Sequence, residues 1–150
     1  MKKFRFSLET VLDYKQQVLA ALQTEHGAIL AQVRDQEKLL EELEAGYRHM
    51  NHEFTRHKLS GISIVDAMKY EQYLRSMERQ IQEETERVEE LRAQEEAKRE
   101  QVVEAKKETS AIEKLREKKL ESYNKAMQKS EEAMIDELVS TKRVMAAQSA

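Results

Sequence analysis

His49, His52 and Glu53 are the residues of this chain best spaced to do chemistry. On a helix, positions i, i+3 and i+4 share a face, so the three could hold a metal ion between them. No further ligand is placed by the sequence to complete the shell, and a solvated polar face is the simpler reading. His26 and His57 fall in the apolar stripe described below, where a partly buried histidine is expected. The chain has no cysteine, which removes thiol catalysis, disulfides and zinc–thiolate sites and fits a reducing compartment. No glycine-rich phosphate loop and no nucleophile in a recognisable motif is present. Carboxylate pairs such as Glu83-Glu84 and Glu89-Glu90 are numerous, as charged helix faces make them by default. The chain is therefore read as non-enzymatic, with no cofactor and no metal.

The elements that carry these residues are unusually easy to delimit. Across 150 residues there is no proline and only three glycines, Gly27, Gly46 and Gly61. Without proline the main helix breaker is missing, and few glycines leave few turns. Charged residues make up 37% of the chain and aromatics 5%, a balance that also suits disorder. The periodic apolar residues decide for helix. Only Lys58-Leu59-Ser60-Gly61-Ile62-Ser63 reads as a stop. The prediction is an all-α, long antiparallel two-helix coiled-coil hairpin, the second helix overhanging the first. It forms a single coiled-coil domain over 1–150, with helix one at about 7–58, the turn at about 59–63 and helix two at about 64–146. The apolar residues can line one stripe but cannot wrap a thick core.

Ser7 is the expected N-cap of helix one, with Phe6 and Val11 closing over it as a hydrophobic staple. A 3-4 spacing then runs through Leu8, Val11, Lys15, Val18 and Leu22. It resumes at His26, Ile29, Val33, Gln36, Leu40, Leu43, Tyr47, Met50 and Phe54. The two adjacent four-residue steps make a stutter, predicting a straighter, softer stretch near 22–29. Gly61 is suited to close the helix, and Ser63 with Asp66 makes an imperfect capping box for the next one. Helix two carries Tyr70, Leu74, Met77, Ile81, Glu84, Val88, Leu91, Glu95, Lys98, Val102, Ala105, Thr109 and Ile112. After Ile112 the stripe drifts through Leu115, Leu120, Tyr123, Met127, Met134, Leu138 and Met145. The expected lengths are roughly 75 Å and 120 Å at 1.5 Å per residue. Folding at Gly61 brings Leu8 near Ile112 to Leu115, so an apolar stripe beyond about Leu120 is left without a partner apart from the N-terminal segment.

The turn end is the apolar-rich part of the seam, with Leu40, Leu43, Tyr47, Met50 and Phe54 facing Met68, Leu74, Met77 and Ile81. Farther away, Lys15, Glu84, Glu95, Lys98 and Thr109 occupy seam positions, which lowers stability and can fix register. Tyr47, Tyr73 and Met77 near the turn are either rim residues covering the seam or an aromatic and methionine patch of the kind interfaces favour.

Charge is mixed throughout. Residues 1–60 carry nine of each sign, 61–110 nine positive and thirteen negative, and 111–150 eight positive and seven negative. That is the pattern of solvated coiled-coil flanks. No block is basic enough for a nucleic-acid arm. No apolar run of about 18 residues exists, so neither a membrane span nor direct insertion is expected. Met1-Lys2-Lys3 begins like a signal peptide, but Glu9 and Asp13 interrupt its apolar region.

Three segments in order resemble the FliJ family of the flagellar type III export apparatus. Phe4-Arg5-Phe6-Ser7-Leu8-Glu9-Thr10-Val11-Leu12 resembles its aromatic-x-aromatic-x-Leu-Glu-x-Val-Leu opening. Gly61-Ile62 followed by Tyr70-Glu71-Gln72-Tyr73-Leu74 resembles its Gly-Ile turn and Tyr-x-x-aromatic-aliphatic run. The segment EKLREKKLESYNKAM leading to EEAMIDELV resembles its ending. The resemblance implies an antiparallel coiled coil like the central stalk of rotary ATPases. It implies termini that engage the hexameric export ATPase FliI, a turn-proximal face for the export gate FlhA, and the handling of substrate chaperones. It places the gate-facing surface on Gln36, Leu40, Leu43, Tyr47, Tyr73, Met77, Gln80 and Glu84. For the ATPase, the pattern of exposed apolar residues suggests Phe4, Phe6, Leu120, Tyr123, Met127, Met134 and Leu138. The protein would be monomeric when free, cytoplasmic, and peripheral at the inner face of the cell membrane. The alternatives are a self-associating scaffold, a general helical chaperone, or the stalk of a virulence secretion system.

Overall fold

The computed structural model describes residues 2–149. The fold is all-helical: α1 (Glu9–Ser60) and α2 (Ile64–Gln148) pack against each other antiparallel, and no strand is present among the described residues. Contacts cluster into two compact units, one of Met1–Leu19 with Glu104–Ala150 and one of Ala20–Val103.

The second unit contains the turn. Gly61 holds a φ of 94°, a left-handed conformation that costs a side-chain-bearing residue steric strain and glycine almost none. Ser63 Oγ then accepts the backbone N–H of Asp66 at 3.1 Å, satisfying one of the free donors at the start of α2. Half of the anticipated capping box thus forms. From Tyr70 through Val102, every seam residue anticipated on α2 is buried or half-buried, and so are their partners from His26 to Phe54 on α1. Phe54, Leu74, Met77 and Val88 are the most deeply covered on the apolar side, together with Val33. Met68 is a correction. It is 62% exposed, because one residue earlier Ala67 takes the inward position, and a 100° step turns Met68 away.

Across the flanks of this unit Lys98 reaches Glu25 at 2.8 Å and Arg92 reaches Glu37 at 2.7 Å. Exposed pairs of this kind stabilise little, and their effect is to disfavour other registers.

In the first unit, Leu12 and Thr109 are buried, and Lys15, Val18, Ala105 and Ile112 are half-buried. Here the helix entrance differs from the expectation. Glu9 N–H donates to the Phe6 carbonyl and Leu12 N–H to the Leu8 carbonyl. The chain therefore makes a turn at Ser7-Leu8, and α1 starts at Glu9 rather than with Ser7 as cap. Val11 is 41% exposed while Leu12 is 4% exposed, so no Phe6–Val11 staple forms. Leu12 follows Leu8 by four residues rather than three, and that step carries the stripe on to Lys15. Leu115 is likewise turned outward, and Arg116 sits half-covered beside it, its Nε donating to Glu9 at 3.0 Å.

Candidate functional site

With a seam this thin, the candidate sites are surfaces, and the histidines do not form one. His49 and His52 are both exposed, and among the described residues no group of three or more His, Cys, Asp or Glu is placed to hold a metal ion. His26 sits within the seam as anticipated, its ring 2.8 Å from Glu95 Oε1. His57 leans on the Tyr70 ring, with centroids 5.8 Å apart.

Glu95 is the most heavily bonded polar residue of the second unit. Arg99 donates to both of its oxygens, at 3.1 and 2.7 Å. The Arg99 guanidinium first, and the His26 ring second, hold its carboxyl down from 4.5 to about 2. A carboxyl whose value is lower in the folded chain stabilises the fold above its ordinary value, and that contribution disappears as pH falls through the folded value. Substitution of Glu95 by Gln is accordingly expected to lower the melting temperature at pH 7. The gap to the parent chain should close between about pH 4.5 and about pH 2, followed by far-UV circular dichroism. A gap that stays constant across that window would refute the assignment.

The turn-proximal set drawn from the resemblance all lies in the second unit, at three depths. Tyr73 and Gln80 are exposed; Gln36, Leu40, Leu43, Tyr47 and Glu84 are half-buried; Met77 is buried. The Met77 methyl lies only 3.2 Å from where a side chain at Gly46 would begin, so the missing side chain lets the two helices approach there. Tyr47 donates its hydroxyl to Glu78 at 2.7 Å, and this bond raises its pKa. Two of the polar members are under-satisfied: Gln36 Oε1 and Glu84 Oε2 are buried with no hydrogen-bond partner. A buried acceptor without a donor costs stability. Gln36→Leu is therefore expected to raise stability by about 1 kcal/mol in a thermal melt, and a lowered melting temperature would show that Gln36 is satisfied in solution.

The terminal set lies in the first unit, and here the N-terminal segment is strapped down. Tyr123 donates its hydroxyl to the Lys2 carbonyl at 2.7 Å, and its ring meets Phe4 with centroids 5.6 Å apart. The Arg116 guanidinium lies over the other aromatic partner, Phe4, at 5.6 Å. Phe6 is buried, and Phe4, Leu120, Tyr123 and Met127 are half-buried. Beside the strap a cleft of about 1020 Å³ is lined by Lys2, Lys3, Arg5 and Lys119 together with the aromatic Phe4, Phe6 and Tyr123, with no carboxylate in its walls. Beyond Met127 every described residue of α2 is exposed. Met134, Ile135, Leu138, Val139, Val144 and Met145 stand between 44% and 65% exposed. They recur at helical spacing, so α2 presents an apolar face with nothing of its own unit against it.

Residues 4–148 of the chain, which span the seam, the strapped segment and the bare distal face, match the model of a family described as flagellar FliJ protein. The chain belongs to the FliJ family. That family is a non-catalytic component of the flagellar export apparatus. Comparison with curated proteins and with solved structures finds no significant match. No described helix is long and apolar enough to cross a membrane.

Three features of this FliJ-family chain escaped the sequence reading. The Leu12-for-Val11 exchange had one signal, two adjacent apolar residues, either of which continues a 3-4 pattern. The basic cleft is assembled from opposite ends of the chain and leaves no local mark. The apolar turn, where Leu59, Ile64 and Val65 are 86%, 80% and 63% exposed, reads in sequence as a stop, which says where the helices end and not which side chains face water.

Proposed function

We propose that the chain is a non-enzymatic stalk of the flagellar export apparatus. Its terminal unit engages the FliI hexamer, and its turn-proximal face engages the export gate FlhA. In this role it supports ATPase ring assembly, the handling of substrate chaperones and protein export, in the cytoplasm at the inner face of the membrane. The observation that carries the reading is the bare apolar face of α2 from Met134 to Met145. An amphipathic helix with that much exposed apolar surface gains free energy by burying it against a partner. The strapped N-terminus beside Tyr123 provides a fixed border to that surface.

The turn-proximal contact is carried by Tyr73 and Gln80, which are accessible, with the half-buried Gln36, Leu40, Leu43, Tyr47 and Glu84 as its floor. Met77 supports that floor from within the seam and does not itself meet the gate.

The test is co-sedimentation of the chain with FliI, together with ATP turnover and ring assembly measured with and without the chain. Binding that stimulates assembly or turnover is expected. No binding and no change in either quantity would reject the proposal. The same bare face also suits pairing with a second copy, which makes a self-associating scaffold the rival reading. Light scattering at micromolar concentration separates them: a monomer is expected, and a tight dimer would favour the scaffold.

A further inference from the structure

The turn of the second unit exposes apolar side chains that the seam does not use. Leu59, Ile64, Val65 and Met68 are 86%, 80%, 63% and 62% exposed. On α2, Ile64, Val65 and Met68 share the face opposite Ala67, Tyr70 and Leu74, which point into the seam. They therefore belong to a different surface from the gate-facing set, of which Tyr73 alone also lines the cleft beside the turn. Immediately behind them stand two lysines and two tyrosines. The Lys58 ammonium sits over the Phe54 ring at 3.9 Å, and among the described residues neither Lys58 nor Lys69 makes an ion pair. Tyr73 is 51% exposed and Tyr70 half-buried. Between Leu59 and Lys69 the only acidic residue is Asp66.

We propose that this turn is a lipid-docking tip. Leu59, Ile64, Val65 and Met68 enter the boundary between headgroups and acyl chains of an anionic bilayer. Lys58 and Lys69 remain at the level of the phosphates, with Tyr73 beside them. The chemistry is that of interfacial membrane segments: aliphatic side chains leading, then amphipathic tyrosines, then lysines whose stems reach back toward charge. Two cations with no carboxylate of their own complement a negatively charged surface. The contact is shallow and involves no membrane span, and it revises the expectation that the chain makes no direct insertion. It concerns the turn alone and does not depend on the stalk reading.

The chain lacks tryptophan, so Ile64→Trp places a single reporter at the tip and Leu138→Trp a single reporter on the bare face of α2. With vesicles of mixed phosphatidylglycerol and phosphatidylcholine, Ile64→Trp is expected to shift its emission to the blue and to be quenched by brominated acyl chains. Leu138→Trp is expected to be quenched less. Lys58→Glu with Lys69→Glu should weaken vesicle binding by about tenfold or more. The triple change Ile64→Asp, Val65→Asp and Met68→Asp should abolish it without changing the helical signal, because all three side chains are exposed. Three results would each overturn the proposal: no spectral response on any vesicle, stronger quenching at Leu138→Trp than at Ile64→Trp, or equal binding to pure phosphatidylcholine. If the triple change instead removes binding to the soluble part of the gate protein while vesicles have no effect, the tip belongs to a protein groove and the lipid assignment fails.

Discussion

Truncation of Phe54 to Ala is expected to destabilise the chain by about 3 kcal/mol, the largest stability loss of any single change near the turn. Phe54 is 4% exposed and stacks on Tyr70 with centroids 5.0 Å apart and planes 17° from parallel. Its other face carries the Lys58 ammonium. Removing the ring deletes the apolar area, the stack and the cation's resting place together. A seam only two helices thick has no further layer of side chains to relax into the gap, which keeps the cavity penalty high. Thermal melts followed by far-UV circular dichroism should show a much lower midpoint for Phe54→Ala and a smaller loss for Phe54→Leu. A melt indistinguishable from that of the parent would mean that Phe54 is not seated between the helices.

The second large effect is on binding, with the fold left alone. Met134→Lys combined with Leu138→Lys is expected to weaken the proposed association with FliI by more than about tenfold while the melting temperature stays where it is. Met134 and Leu138 are 65% and 63% exposed, so neither contributes appreciably to the seam, and lysine matches methionine and leucine closely in helix propensity. Placing two ammonium groups on the apolar face forces their desolvation in any partner that covers it. Co-sedimentation and the midpoint of the melt must be read together. Full binding by the double variant would remove the bare face from the ATPase contact. A large drop in the midpoint would show that the face is already covered in the free chain, by a second copy for example.

The two predictions sample opposite kinds of apolar residue, which helical spacing marks alike and helix length separates: folding at Gly61 gives Phe54 a partner and leaves the stripe beyond about Leu120 without one. Phe54 continues the 3-4 stripe and Met134 the drifting one that follows Ile112. Periodicity reports that a helix has a greasy side; it does not report whether anything lies against it. The same limit explains Met68, expected in the seam near the turn and found exposed. It also explains Val11 and Leu12, where one residue of phase exchanged an exposed side chain for a buried one. Of the residues assigned to the gate by resemblance, a linear pattern could not say that Met77 is enclosed against Gly46 while Tyr73 stands free. The long-range bonds were beyond reach for the same reason. Tyr123 to Lys2 and His26 to Glu95 join residues far apart in the chain, and nothing local in either partner announces the other.

The sequence alone determined the helical class, the position of the single turn and the antiparallel pairing. Those follow from backbone preferences and from a repeat that is fully written in residue type: no proline, a glycine able to take positive φ at Gly61, and apolar residues at helical spacing. The tertiary structure decided which members of that repeat are covered and which face water. It laid the N-terminal segment over Tyr123, carried the cover of α2 as far as Met127 before the expected bare stretch begins, and turned Ile64, Val65 and Met68 outward. Burial is a property of two surfaces meeting, and one chain segment specifies only its own side of that meeting.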